Sequence, residues 1–208
     1  MPKPLLIEVG AFDGHDSLRW HAKGYKVLTF EPKRDLYEKL SLKTSGLSDY
    51  EVVNKAISLI DGIVKFNICK SGGASSLLEF KCEEELIKHW GSGRTDVHFS
   101  GESYHVESTT LKKAIEERNL QMETIAFLHV DAQGVDLDVL KSLGPYIKNV
   151  KEGVIECAIS AEKAIYKEQS SIMGDCKDWL TSNGFSVLNV TPNDHGCEYN
   201  ISFRSKTL

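Results

Sequence analysis

The sequence predicts an α/β fold with a mainly parallel sheet and helices on both faces, and three observations carry that reading. Short apolar or β-branched runs alternate with longer stretches of helical periodicity, the pattern of stacked βαβ units. A tight glycine turn, Gly10 to Gly14, closes the first of these runs. The run Thr124–Asp131 has almost no polar face, since Ile125, Phe127, Leu128 and Val130 fill it, so it reads as a central strand buried on both sides.

Taken in order, Leu5–Val9 is the first strand, and a helix from His15 to Lys23 stops at Gly24. Lys26–Phe30 is the second strand, a helix over Lys33 to Lys43 stops at Gly46, and Tyr50–Asn54 is the third strand. Ala56–Ser58 and Ile63–Cys69, joined around Asp61-Gly62, suggest a β-hairpin. Ser71–Ser103 is rich in Gly, Ser and charge, with one short helix near Cys82–Trp90. This insertion, at about 70–105, is expected to cover the site, because a loop of that length in a compact domain is usually functional or disordered. After the buried strand come a helix over Val135–Leu143 ended by Gly144-Pro145, a strand at Gly153–Ala158 and a helix at Ser171–Ser182. Phe185–Val190 and Tyr199–Arg204 bring the count to seven strands.

With 208 residues and 41% hydrophobic content, the chain suffices for one packed core and is short for two, so residues 1–208 are expected to form a single domain. The net charge of −5 offers no positive field for a phosphate backbone, which argues against nucleic acid as a partner. No apolar run approaches the roughly 20 residues that span a bilayer, and the run before Gly10 is too short and too acidic for a signal peptide. A soluble, cytoplasmic protein without membrane contact is expected. Five cysteines without a C-x-x-C pair fit a reducing compartment better than a disulfide framework or a zinc site.

The turn Ile7-Glu8-Val9-Gly10-Ala11-Phe12-Asp13-Gly14 lets a cofactor approach backbone that a Cβ would obstruct. Only G-x-x-x-G is present, whereas a dinucleotide fingerprint needs G-x-G-x-x-G, which disfavours NAD. Glu8 lies two residues before the first glycine, where a carboxylate can face the positive amino-acid end of a sulfonium cofactor. Glu31 closes the second strand, where it can accept hydrogen bonds from both ribose hydroxyls.

These residues and several later segments resemble the FkbM family of methyltransferases. The matches are I-E-V-G-A-F-D-G-H-D-S at 7–17, F-E-P at 30–32, N-K-A-I-S at 54–58, G-A-S-S-L-L-E at 73–79, V-E-S-T-T-L at 106–111, H-V-D-A-Q-G-V-D-L-D-V-L at 129–140 and V-I-E-C at 154–157. The resemblance implies a Rossmann-like class I fold of seven strands with the last antiparallel, S-adenosylmethionine as donor, and O-methylation of a sugar, glycan or small metabolite. It implies cofactor contacts at Glu8, Gly10, Ala11, Asp13, Gly14, Glu31, Pro32, Lys55, Ala56, Ser75, Ser76 and Asp131. The family pattern K-I-D-V-E-G-A-E is altered here, with His129, Gln133 and Asp136 where Lys, Glu and Glu are usual.

Methyl transfer requires aligning the acceptor oxygen, excluding water and removing a proton. Asp131 follows the apolar strand directly, at the carboxyl edge where open sheets bind ligands, so it is the candidate base or acceptor-positioning carboxylate. The competing reading makes it the N-cap of the following helix. His129 shares a strand face with Asp131 and is the second candidate for proton transfer. Glu156, ending the next strand, would stand near Asp131, and the two could also hold Mg²⁺ or Ca²⁺. His15 and His195 fall near the same edge. Trp20 and Trp179 read as core, Trp90 could stack on a sugar ring, and Cys157 on a buried strand reads as inert. Two rivals remain at this stage: an NAD-dependent dehydrogenase or epimerase, and a non-catalytic cofactor-binding domain.

Overall fold

The computed structural model describes residues 2–70, 73–90, 99–193 and 196–207, except for the side chains of Glu83, His89 and Trp90. In chain order the elements begin β1 (Leu5–Val9), α1 (His15–Ala22), β2 (Lys26–Phe30), α2 (Arg34–Thr44), β3 (Tyr50–Val53), β4 (Ala56–Ile57) and β5 (Gly62–Cys69). They continue with α3 (Glu83–Trp90), β6 (Phe99–Thr109), α4 (Leu111–Glu117), β7 (Ile125–Val130) and α5 (Asp136–Ser142). After a 3₁₀ turn at Gly144–Asn149 come β8 (Glu152–Ala158), α6 (Met173–Ser182), β9 (Phe185–Pro192) and β10 (Glu198–Ser205).

The large sheet has the order β3-β2-β1-β7-β8-β10-β9. Its strands run parallel except β10, which is antiparallel to both β8 and β9. This is the Rossmann-like sheet of seven strands that the sequence predicts. β1 and β7 lie side by side at its centre because both are apolar on both faces, and Leu5, Leu6, Ile7, Leu128 and Val130 are all buried. From β1 the chain crosses to β2 on one side and from β7 to β8 on the other, so a crevice opens where the carboxyl ends of β1 and β7 diverge. The main core beneath it joins Leu28, Phe30, Leu137, Leu140, Ile155, Ile201 and Phe203. Gly153 has no side chain because a Cβ there would come within 2.5 Å of the Phe203 ring. Trp20 stacks on Phe127 at 4.6 Å and Trp179 packs on the main core, both partly buried, as their helical spacing predicts. Cys157 is buried, and no helix among the described residues is long and apolar enough to cross a membrane.

Two expectations are corrected and one element is added. The predicted hairpin does not form: β4 pairs with β6 in parallel (Ala56 opposite Ser108), β5 pairs with β6 antiparallel (Ile63 opposite Glu107), and the order of this small sheet is β4-β6-β5. The end of the stretch read as a loop, from Phe99, is an eleven-residue strand. It escapes pattern reading because most of β6 is exposed, so no apolar alternation marks it, and its pairing is supplied by β5 across the insertion. A further helix, α4, is opened by Thr110, whose side chain accepts from the Lys113 N–H. Residues 71–72 and 91–98 of the insertion, His195, and the Trp90 side chain lie outside the described residues.

Candidate active site

At the carboxyl ends of β1, β2 and β7 lies a cavity of about 320 Å³, within the range of small-molecule sites. Its floor is the glycine turn. The N–H groups of Gly10 and Ala11 both donate to the Phe30 carbonyl, and Asp131 N donates to Val9 O at 2.9 Å, which ties the three strand ends together. Gly10 has φ +86°, and a Cβ on it would lie 1.9 Å from the Asp131 carbonyl oxygen. The glycine is therefore demanded by the approach of β7 as well as by anything bound above it. Phe12 and Gln133, both lining the cavity, adopt left-handed backbone (φ +49° and +52°), a strained choice for such side chains that concentrates at functional sites.

Of the cofactor residues expected from sequence, Glu8, Gly10, Ala11, Asp13, Glu31, Pro32, Lys55, Ala56, Ser75 and Asp131 line this cavity, as do His15 and His129. Gly14 and Ser76 do not line it. Gly14 begins α1 in left-handed conformation and faces Leu40, whose Cδ1 would meet a Cβ at 2.3 Å. Ser76 is buried behind the wall, donating to the Gln133 carbonyl at 2.6 Å and accepting from the Leu78 N–H. Both residues shape the cavity from outside. The insertion contributes Gly73, Ser75 and Leu77 to the wall, and β5 contributes Phe66.

Glu8 is buried, takes a hydrogen bond from Thr29 Oγ1 at 2.7 Å and lies 3.4 Å from His129 Nδ1. Burial works against a charged His129, but the hydrogen bond and charge of Glu8 and the charges of Asp131 and Asp16 outweigh it, raising the imidazole pKa above its ordinary value. Glu31 accepts the N–H of Phe12 on Oε2 and that of Lys33 on Oε1, both at 2.8 Å. Burial still dominates those donors and lifts its carboxyl to about 7. Each oxygen keeps a lone pair for a further donor from the cavity.

Behind Asp131 lies a cluster of buried carboxyls. Burial raises the Asp131 pKa against the opposing charge of His129 and hydrogen bonds from Gln133 and Glu156. Burial and the negative charge of Asp131 raise Glu156 well above the carboxylate range. Asp136 has no exposed surface, accepts from the N–H groups of Ala132 and Glu156 at 3.3 Å, and is lifted by burial and by Asp131 to about 7. The capping role for Asp131 is corrected: Val135 occupies the N-cap of α5, without a side-chain cap bond. Asp131 and Glu156 do come together: their carboxyls are hydrogen-bonded to each other, Gln133 Nε2 donates to both, and Asn193 Nδ2 donates to the other Glu156 oxygen. Among the described residues no group of three or more His, Cys, Asp or Glu side chains is placed to hold a metal ion.

Sequence reasoning missed Tyr166, Asn193, the role of Gln133 and that of Asp136. Gln133 and Asp136 left a signal, as departures from the family pattern. Tyr166 left none, since it lies in an irregular segment between β8 and α6.

The doubly wound sheet, the crevice at its switch point and the acidic glycine turn define a class of nucleotide-cofactor enzymes. Residues 8–187 match the family model described as the methyltransferase FkbM domain, and the chain belongs to that family. Among solved structures it is similar to a protein of the NADB-Rossmann superfamily from Streptococcus agalactiae (14% identity, TM-score 0.53, 100% of this chain and 65% of the other). It is also similar to magnesium protoporphyrin IX methyltransferase from Synechocystis PCC 6803, solved with bound SAM (9%, 0.51, 99% and 71%). A third is ribosomal protein L11 methylase from Lactobacillus delbrueckii subsp. bulgaricus (11%, 0.50, 99% and 72%). The chain thus spans about two thirds to three quarters of the length of these structures. No curated protein matches the chain by sequence.

Proposed function

We propose that the chain is an S-adenosylmethionine-dependent O-methyltransferase acting on a hydroxyl of a sugar, glycan or small metabolite. The observation that carries this reading is the arrangement of carboxylates around one cavity in a chain of this family: Glu8 and Glu31 at the turn, Asp131 at the end of β7. When bound, S-adenosylmethionine supplies an electrophilic methyl group on a cationic sulfur. Glu31, with a free lone pair on each oxygen, accepts the ribose hydroxyls, and Glu8 faces the cationic amino-acid end. The acidic lining suits a cationic cofactor and repels a phosphate backbone, which favours a small acceptor over nucleic acid. Asp131 would take the proton of the acceptor hydroxyl as the methyl group passes from the cofactor sulfur, which keeps the electron pair of the broken bond, to the acceptor oxygen, and burial suits it to that task by raising its proton affinity. His129, held toward Glu8, balances the negative charge around the base.

Asp131→Asn tests the assignment. Asn keeps the shape but cannot take a proton, so transfer of labelled methyl to a panel of free sugars and methyl glycosides should drop by roughly 10²-fold or more. Affinity for S-adenosylhomocysteine should stay within about twofold. A variant that methylates at the wild-type rate removes Asp131 as the base. Cofactor binding by a wild-type protein that methylates nothing across a broad hydroxyl panel favours the non-catalytic reading.

A further inference from the structure

We propose that Gln133 is the positioning residue for Asp131: its side-chain amide holds Asp131 Oδ1 beside the Glu156 carboxyl and so fixes the orientation in which Asp131 meets the acceptor proton. This deepens the proposed function and rests on Asp131 as the base.

Gln133 is fixed from three directions. Its backbone carbonyl accepts from Ser76 Oγ at 2.6 Å, its Oε1 accepts from Tyr166 Oη at 2.7 Å, and its Nε2 donates to Asp131 Oδ1 and, at 3.4 Å, to Glu156 Oε2. The tyrosine hydroxyl turns the oxygen of the amide toward itself and thereby turns the NH₂ group toward the carboxyls. Tyr166 is itself buried, and its single hydroxyl proton is shared between Gln133 Oε1 and the Ala74 carbonyl, each 2.7 Å away. The next residue, Gly134, has φ +96°, and a Cβ on it would meet the side chains of Tyr166, Gln169 and Leu78 at 2.7–3.2 Å. The turn that carries Gln133 is therefore closely covered by the side chains of Tyr166, Gln169 and Leu78, which leave space for a glycine alone at 134. A side chain so restrained, spending both of its amide atoms on one network, acts on the group it touches.

The residue type fits the place. A carboxylate at position 133, as the family pattern has it, would set a third negative group against Asp131 and Glu156, whereas an amide donor links them without charge. The ionisable groups around Asp131 are His129 on β7, Glu8 on β1, Asp136 on α5 and Glu156 on β8, with Tyr166 and Glu198 acting on Glu156 from beyond it. The amide of Gln133 is the neutral member of this set in direct contact with both carboxyls of the pair.

The test is the titration of the Asp131 carboxyl carbon in protein labelled with ¹³C-aspartate, the signal being assigned by its loss in Asp131→Asn. Gln133→Met, which keeps length and loses the donor, should raise the Asp131 midpoint by about one pH unit, because the ionised form loses its hydrogen bond. Gln133→Glu should raise it further. Tyr166→Phe, which frees the amide while leaving the ring packed, should move it the same way by a smaller amount. A merely structural glutamine would leave the midpoint in place, so an unchanged midpoint in Gln133→Met overturns the proposal. Should that variant fail to fold, an unchanged midpoint in Tyr166→Phe does so. Failure of the base reading is separate: it appears as an active Asp131→Asn enzyme, whatever the midpoints do.

Discussion

Replacing Glu31 with Gln measures how the cavity treats charge at its cofactor end. Glu31 is 5% exposed, and burial carries its carboxyl from 4.5 to about 7 in spite of two backbone N–H donors. Because the folded state holds this proton more tightly than the unfolded chain, the favourable contribution is complete below pH 4.5 and is lost as pH rises through 7. Keeping the carboxylate ionised in the empty cavity costs up to about 3.4 kcal/mol, from 2.5 pKa units at 1.36 kcal/mol each. Ribose hydroxyls donate only to lone pairs and favour the ionised form, so S-adenosylhomocysteine should bind with release of a proton. Its affinity should then rise by up to about tenfold per pH unit between pH 5 and 7 and level off above. Calorimetry at pH 6.5 in phosphate and in Tris, whose ionisation enthalpies differ, counts the proton. Glu31→Gln should bind more weakly, show the same heat in both buffers and lose most of the pH dependence. The buried carboxyls around Asp131 remain in both proteins and cancel in the comparison. Equal buffer dependence in wild type and variant would refute both the ribose contact and the charge argument.

Gly10→Ala should destabilise the protein severely. Left-handed backbone costs about 1–2 kcal/mol for a residue with a Cβ, and here that Cβ also strikes the Asp131 backbone, forcing β1 and β7 apart. A drop in melting temperature of roughly 5 °C or more is expected, and a shift within about 1 °C would contradict the geometry. Magnesium, calcium or a chelator should leave both methyl transfer and the melting temperature unchanged. The Asp131–Glu156 pair already faces amide N–H donors from Gln133 and Asn193, which oppose a cation at those oxygens. Loss of activity in chelator, restored by magnesium, would overturn that expectation.

The large sheet was legible because β1 and β7 are apolar on both faces and each is followed by a helix at its own period. The residues that line the cavity at Glu8, Gly10 and Glu31 were legible because strand ends and glycine turns leave local signals. The small sheet was not, since β4 is two residues long and β6, with Gly101, two glutamates and several serines among its residues, acquires its strand character from pairing with β5 and β4. The carboxyl cluster was legible in half. Asp131 follows the end of β7 and Glu156 lies in the last half of β8, but Asn193 reaches Glu156 and Tyr166 reaches Gln133 from irregular segments, and nothing local foretells which way an irregular segment folds back.

The position of β10 sets the order in which the chain can finish folding. β9 stands at the edge of the large sheet with β10 as its neighbour, and β10 also covers β8. On a ribosome β9 therefore emerges before the strand it pairs with, and the open flank of β8 waits for residues 198–205. Until Ile201 and Phe203 arrive, the core lacks two of its fully buried side chains, and an unpaired parallel strand presents its N–H and C=O groups to any other chain nearby. β9 joins the sheet only through β10, so the flank of β8 and the last edge strand are completed together.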